Sequence, residues 1–239
     1  NNAGHTVIND MGEFALHLVP SGVFWPQASC LIGNGVVIDP NVFFEELNGL
    51  QGRGIDISNI HISDRSHVIM PYHIQQDKLE EIARGNQALG TTGRGVGPAY
   101  VDKTARMGIR SGELLDQKSL LPRLKQIVEH KNRILTKIYD QKPLSVEEIY
   151  EQCIKWGSLL KPYLGHTEIL LQDALNKGHS ILLEGAQGTM LDLDHGTYPY
   201  VTSSSSAIGG AATGLGFSPQ NITSIIGVFK AYSTRVGSG

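Results

Sequence analysis

Short apolar runs that alternate with helical segments constrain the fold of this chain more than any other feature. Cys30-Leu-Ile32, Val36-Val-Ile38 and Ile60-His-Ile62 have the length and β-branched content of buried strands. Between them, Asp39-Pro40 opens a helix to about Leu50, with aspartate as N-cap and proline at the first helical position. Pro71 to Arg84 reads as a second helix, closed by Gly85. Ahead of these, Thr6 to Ile8 and Phe14 to Val19 flank Asn9-Asp-Met-Gly12 as a hairpin, and Pro20-Ser-Gly22 breaks its second strand. The alternation predicts an α/β fold with a mixed, mostly parallel central sheet and flanking helices.

The middle of the chain changes character. Leu121, Leu124, Ile127, Val128, Ile134, Leu135 and Ile138 follow helical spacing, and Ser145 with Glu148 forms a capping box before a helix to about Leu160. The third helix of this middle block runs from Glu168 to Asn176, capped by Thr167 and ended by Gly178. Residues 112–178 therefore read as a helical insertion, a lid or subdomain. It separates an α/β part at 1–111 from a second at 179–239, within one domain overall. Strand signals return at Ile181 to Leu183 and at Ile225 to Tyr232.

Apolar content of 40%, charged content of 18% and a formal net charge of -3 are those of an ordinary globular protein. They argue against a nucleic-acid polyanion as partner, which calls for a basic excess. No apolar run reaches membrane-spanning length. Cys30 and Cys153 make neither a CxxC pair nor a disulfide framework, so a reducing cytoplasm is the expected compartment.

Three polar clusters carry the chemistry. The longest runs from Glu184 to Ser206, just after the apolar run Ser180-Ile-Leu-Leu183, which reads as a buried strand. Gly185, Gly188 and Gly196 let backbone approach a ligand, while Gln187, Thr189, Thr197, Thr202 and Ser203 offer neutral hydrogen bonds. Open α/β sheets bind ligands in polar loops at the carboxyl ends of strands. Asp192, Asp194 and His195 suggest either a metal site or backbone capping of the loop, and capping is the simpler reading. The second cluster, Gly90-Thr-Thr-Gly-Arg-Gly-Val-Gly-Pro-Ala-Tyr100, combines glycine-freed amides, hydroxyls and a guanidinium, the groups that hold phosphate oxygens. It matches neither a Walker A loop nor a dinucleotide fingerprint, and a plain glycine-rich connection remains the alternative. Lys103, Arg106 and Arg110 follow at spacings that put them on one helical face as a cationic stripe. The third cluster is Asn1-Asn-Ala-Gly-His-Thr6. Its His5 is a candidate to protonate or polarise an oxygen near neutral pH, against the commoner structural role of a single histidine. A further polar segment, Lys230 to Gly237, ends the last apolar run.

Together and in this order, Asn-Asn-Ala-Gly-His-Thr, Gly-Thr-Thr-Gly-Arg-Gly-Val-Gly-Pro-Ala-Tyr, Glu-Gly-Ala-Gln-Gly-Thr-Met-Leu-Asp, Asp-His-Gly-Thr-Tyr-Pro-Tyr-Val-Thr-Ser-Ser and Lys-Ala-Tyr-Ser-Thr-Arg-Val-Gly resemble adenylosuccinate synthetase across the whole chain. The resemblance implies a P-loop-NTPase-like fold, here incomplete, and a GTP-dependent carbon–nitrogen ligase. IMP, L-aspartate and GTP would give adenylosuccinate, GDP and phosphate with magnesium, in AMP synthesis. The γ-phosphoryl group would pass to the 6-oxygen of IMP, and the aspartate amine would then displace phosphate from carbon 6.

Carried over by motif, His5 would be the general acid, with Gln187 beside it at the base and 6-oxygen. Asn2, Ala3, Gly4 and His5 would line the IMP site, Gly4, His5 and Thr6 would touch GTP phosphates, and the Gly4 carbonyl would ligate magnesium. Thr92 and Thr202 would bind the IMP phosphate and Val236 would lie by the ribose. Arg106 would reach into the neighbouring site of a homodimer. The family's glycine-rich phosphate loop with its aspartate base, its arginine-rich loop and its guanine-recognition loops have no counterpart here. The chain is thus expected to be an internal piece of something longer, inactive alone and prone to aggregate through exposed strand edges. The competing expectations are a non-catalytic IMP-binding fragment and an unrelated phosphate-binding α/β protein.

Overall fold

The computed structural model describes residues 2–232 and 234. The chain opens with the hairpin of β1 (His5–Asn9) and β2 (Gly12–Leu16), antiparallel with His5 opposite Leu16 and Asn9 opposite Gly12. Next come β3 (Cys30–Ile32), β4 (Val37–Ile38), α1 (Pro40–Gln51), β5 (Ile60–Ser63), β6 (His67–Val68) and α2 (Pro71–Arg84). Then follow α3 (Val96–Ala105), α4 (Gln117–Lys137), α5 (Val146–Leu160), β7 (Leu164–Gly165), α6 (Thr167–Asn176) and α7 (Gly209–Leu215). Strands β3, β5 and β7 form one parallel sheet in that order, and β4 pairs with β6 in parallel. The fold is the mixed, mostly parallel α/β architecture that the alternating pattern predicts.

Local chemistry sets the helix starts. The Asp39 carboxylate accepts the Asn41 and Val42 amides ahead of α1, Asp116 accepts those of Lys118 and Ser119 ahead of α4, and Ser145 accepts that of Glu148 ahead of α5. Burial then joins the parts. Phe14, Ile60, Tyr72, Leu124, Cys153 and Trp156 belong to one apolar cluster, so α4 and α5 share their core with the hairpin and the parallel sheet. Among the described residues no helix is long and apolar enough to cross a membrane.

Two expected strands do not form. Ser180 to Leu183 and Ile225 to Tyr232 have no regular structure; Leu182 is 87% and Phe229 92% exposed, with Ile181 and Leu183 half-buried. Strand identity requires a neighbour to complete the backbone hydrogen bonds, and among the described residues no strand pairs with either segment. The cationic stripe fails as well. Helix α3 ends at Ala105, Arg106 caps it in a left-handed conformation (φ 62°), and Arg110 lies beyond it.

Candidate active site

Gln187 is the node of the site. Its backbone is left-handed (φ 68°), a conformation uncommon for a residue with a side chain, and Gly188 follows it. Its Nε2 donates to the Asn2 carbonyl at 3.2 Å and to the Thr202 Oγ1 at 2.9 Å, joining segments 185 residues apart. Its Oε1 is buried with no hydrogen-bond partner, an acceptor left over inside the site. Asn2 is fixed in turn: its amide nitrogen donates to the Val37 carbonyl at 2.5 Å, and its Oδ1 accepts the Val37 amide at 3.0 Å. Tyr100, on α3, donates to the Gly35 carbonyl at 2.6 Å, with Asn2 Oδ1 at 3.3 Å. Burial pushes the Tyr100 phenol up to about 12, so it remains a donor at any physiological pH.

The loop after Gln187 is organised by Asp192, 1% exposed, which accepts the amides of Ala207 at 2.8 Å, Asp194 at 3.0 Å and His195 at 3.1 Å. The Ala207 amide, with the other two, holds its carboxyl below the usual range. Asp192 is therefore a cap of the loop, as the simpler sequence reading has it, with its lone pairs committed to backbone. Thr202 is held by its own amide, which donates to the Leu191 carbonyl at 2.8 Å.

His5 is the first residue of β1. Its Nε2 is buried, has no hydrogen-bond partner and stands 3.9 Å from Glu184 Oε1. Glu184 in turn accepts the Ser21 amide at 3.1 Å and hydroxyl at 2.9 Å. Gly4 is exposed, Thr6 is exposed, and Ala3 is half-buried beside them. A side chain at Gly4 would stand 3.2 Å from the His17 ring, so the backbone there runs close against its neighbour.

The glycine segment meets the same site through α3. A side chain at Gly97 would lie 3.3 Å from Ser203 Oγ, next to Thr202, and Tyr100 one turn later reaches Asn2. Thr92 is exposed just ahead of this helix and makes no hydrogen bond to Gln187 or Thr202. Lys103 donates to the Asn34 carbonyl at 2.8 Å, so this cation is turned inward. Arg106 sits at the opposite end of α3, about 15 Å from its start at 1.5 Å per residue. Its side chain is exposed, so the structure does not bring it to the Thr92 loop. Val236 lies outside the described residues.

Tyr100, Glu184, Asp77 and Glu81 join or support the site without having been singled out from sequence. Asp77 and Glu81 had a readable signal, acids one turn apart on the helix that leads into the glycine segment.

Comparisons with known proteins place the chain in a family. The family model described as adenylosuccinate synthetase matches residues 1–239. The chain belongs to the adenylosuccinate synthetase family. It is 57% identical to the adenylosuccinate synthetase of Dehalococcoides mccartyi and 48% identical to that of Bacillus thuringiensis, in each case over the whole chain and 56% of the relative. The chain thus spans about half the length of the curated relatives it matches. A solved, fully ligated adenylosuccinate synthetase from Plasmodium falciparum superposes with a TM-score of 0.89 at 32% identity, covering 100% of this chain and 55% of that one. Within the adenylosuccinate synthetase fold, Asn2, Gln187 and Thr202 form one bonded group, while Arg106 is exposed at the C-terminal end of α3.

Proposed function

We propose that the chain supplies the IMP-binding half of an adenylosuccinate synthetase site. The protein it represents would ligate IMP and L-aspartate at the expense of GTP. What supports the reading is the Gln187 node. It ties Asn2 to Thr202 and keeps one buried acceptor for a ligand, as a purine 6-position with its neighbouring ring N–H requires. In this reading His5, through its unpartnered Nε2, donates to the 6-oxygen as it takes the phosphoryl group and later departs as phosphate. Thr92 and Thr202 donate to the 5′-phosphate. Phosphoryl transfer needs positioning and charge stabilisation above all, and fixed neutral donors supply the first.

Gly4 to Thr6 would stand along the GTP phosphates. Magnesium takes six oxygens in near-octahedral geometry, and one backbone carbonyl, that of Gly4, cannot make such a site by itself. Among the described residues the metal-like group Asp64, His166 and Glu168 does not replace it. His166 is 3.1 Å from Asp64, Glu168 is 3.2 Å from Arg65, and an imidazole does not suit magnesium. No step is therefore routed through the ion. Arg106, exposed at the far end of α3, fits a role in a neighbouring copy's phosphate site and hence a homodimer. The two free, buried cysteines suit a reducing cytoplasm.

Titration calorimetry of IMP tests the binding role. Gln187→Ala should weaken IMP at least tenfold, and an unchanged affinity would refute the assignment. Phosphate release that requires IMP, aspartate, GTP and magnesium together would establish ligation; binding without release would leave the chain a binding half.

A further inference from the structure

The glycine segment is held in shape by two carboxylates of α2. Glu81 accepts three successive amides, those of Leu89 at 3.2 Å, Gly90 at 2.8 Å and Thr91 at 3.1 Å. Burial opposes its ionisation, yet the Thr91, Leu89 and Gly90 amides together outweigh this and hold its carboxyl below the usual range. Asp77 lies one turn earlier on the same face of α2 and is 4% exposed. One of its oxygens accepts the Thr91 hydroxyl at 2.8 Å and the other the Gly95 amide at 2.8 Å. Neither carboxylate makes an ion pair among the described residues. Gly95 itself is left-handed (φ 77°), and a Cβ there would lie 2.7 Å from the Ile74 nitrogen, so the segment rests directly on the α2 backbone.

This arrangement changes which groups are available to an anion. The amides of residues 89–91, which composition alone assigns to phosphate, are already saturated by Glu81, and a phosphate there would face a like charge. What projects free is the short arc between the two anchors of Asp77: the Thr92 hydroxyl and the amides of Thr92, Gly93 and Arg94. A carboxylate that grips both ends of a turn fixes the position of its middle. We propose that Asp77 and Glu81 are positioning residues that convert a glycine-rich segment into a rigid phosphate-binding turn whose donors are Thr92 to Arg94. The ligand's identity rests on the IMP reading above; the grip on the turn does not.

The two carboxylates respond differently to amide substitution. Asp77→Asn can still offer its oxygen to the Gly95 amide and its NH2 to the Thr91 hydroxyl, which accepts after rotation. Glu81→Gln has one acceptor oxygen for three amides and turns an NH2 toward donors. The experiment measures IMP and inosine affinity by calorimetry, giving the preference due to the phosphate, and amide exchange of Thr91 and Gly95 by NMR. Asp77→Ala and Glu81→Gln should each cut the IMP-over-inosine preference at least tenfold, and Asp77→Asn should restore it. Gly95 exchange should quicken at least tenfold in Asp77→Ala and return to the wild-type rate in Asp77→Asn. Thr91→Val, which removes one anchor at an exposed position, should give intermediate values and serves if Asp77→Ala does not fold. An unchanged preference in Asp77→Ala beside faster Gly95 exchange would overturn the positioning role. Wild-type chain that binds IMP no better than inosine would overturn the IMP reading instead, while the exchange rates still judge the grip.

Discussion

Lys131→Met is the substitution whose cost the structure defines most directly. Lys131 Nζ lies 2.6 Å from Asp102 Oδ1, and His73 Nε2 lies 2.9 Å from Asp102 Oδ2, with side-chain exposures of 5%, 3% and 1% for Lys131, Asp102 and His73. His73 Nδ1 accepts the Met70 amide at 3.0 Å, so the imidazole proton sits on Nε2 and the ring is a neutral donor to Asp102. Burial keeps it neutral by lowering its pKa. Among the described residues, the positive charge paired with the Asp102 carboxylate is therefore that of Lys131. Removing one partner of a buried pair costs about 3–5 kcal/mol. Against a typical total of about 5–15 kcal/mol, that is a large share. At about 2–4 °C per kcal/mol for a chain of this size, the melting temperature should fall by roughly 6–20 °C. The double variant Lys131→Met with Asp102→Asn should recover most of this, because a neutral amide oxygen still accepts from His73 and no charge is stranded. Denaturant unfolding of the wild type, both single variants and the double variant gives the coupling. His73 and Lys131 outweigh burial to lower the Asp102 carboxyl in the wild type, so its stabilisation is present above pH ~4 and lost as pH falls through the lower folded value. Without Lys131 burial raises that carboxyl, so the deficit of the variant should narrow as pH falls from its raised value toward the lowered wild-type one. A loss under about 1 kcal/mol, or a double variant no better than the sum of the singles, would refute the reasoning.

Two further outcomes follow from buried groups. Burial, with Lys103, Arg110 and Arg123 nearby, pushes the His67 imidazole down from 6.5 to about 4. Between those values the unfolded chain binds the proton and the folded one does not, so stability should fall as pH drops from 6.5 to 4, and His67→Gln should flatten that slope in pH-dependent melts. Burial raises the Cys30 thiol to about 11, with Glu184 adding to it, and the Cys153 thiol to about 12. Neither should react with iodoacetamide at pH 8 in the native state; modification within minutes, detected by mass spectrometry, would contradict their burial.

What the sequence discloses here is what short-range chemistry decides. The Asp39 and Ser145 caps, the Asn9–Gly12 hairpin and the Gly85 stop depend on neighbours within a few residues, and each stands where the residue types put it. The apolar runs at Ser180 and Ile225 fail because a strand is a relation between segments, and composition does not say whether the partner is present. A helix through Lys103 was expected, but its early start at Val96 was not, because Gly95, Gly97 and Pro98 read as loop residues, although proline in a first turn suits a helix. The convergence of Asn2, Gln187 and Thr202 followed from the family resemblance, not from any spacing, since contacts over such separations leave no local trace. The role of Asp77 and Glu81 was hidden for the opposite reason. Their acids look like an ordinary solvated helix face until the loop is seen folded onto them.

The contact between the first α/β segment and α7 is made of backbone. Gly35 donates its amide to the Gly214 carbonyl at 2.8 Å, and a Cβ at Gly33 or Gly35 would stand 2.4 or 2.6 Å from Gly214 atoms. The Asn34 side chain adds a bond to the Thr213 carbonyl at 3.1 Å, and its own carbonyl receives Lys103 from α3. Most joints in a protein can drift, since one apolar side chain stands in for another with a small loss. At Gly33 and Gly35 there is no graded series of replacements, because the smallest possible change adds a methyl group into space already filled, whereas a Cβ at Gly214 would stand 3.3 Å from the Gly35 Cα. The seam is therefore lopsided: a side chain on the Gly33–Gly35 side pushes the two segments apart, while the α7 side keeps a little slack.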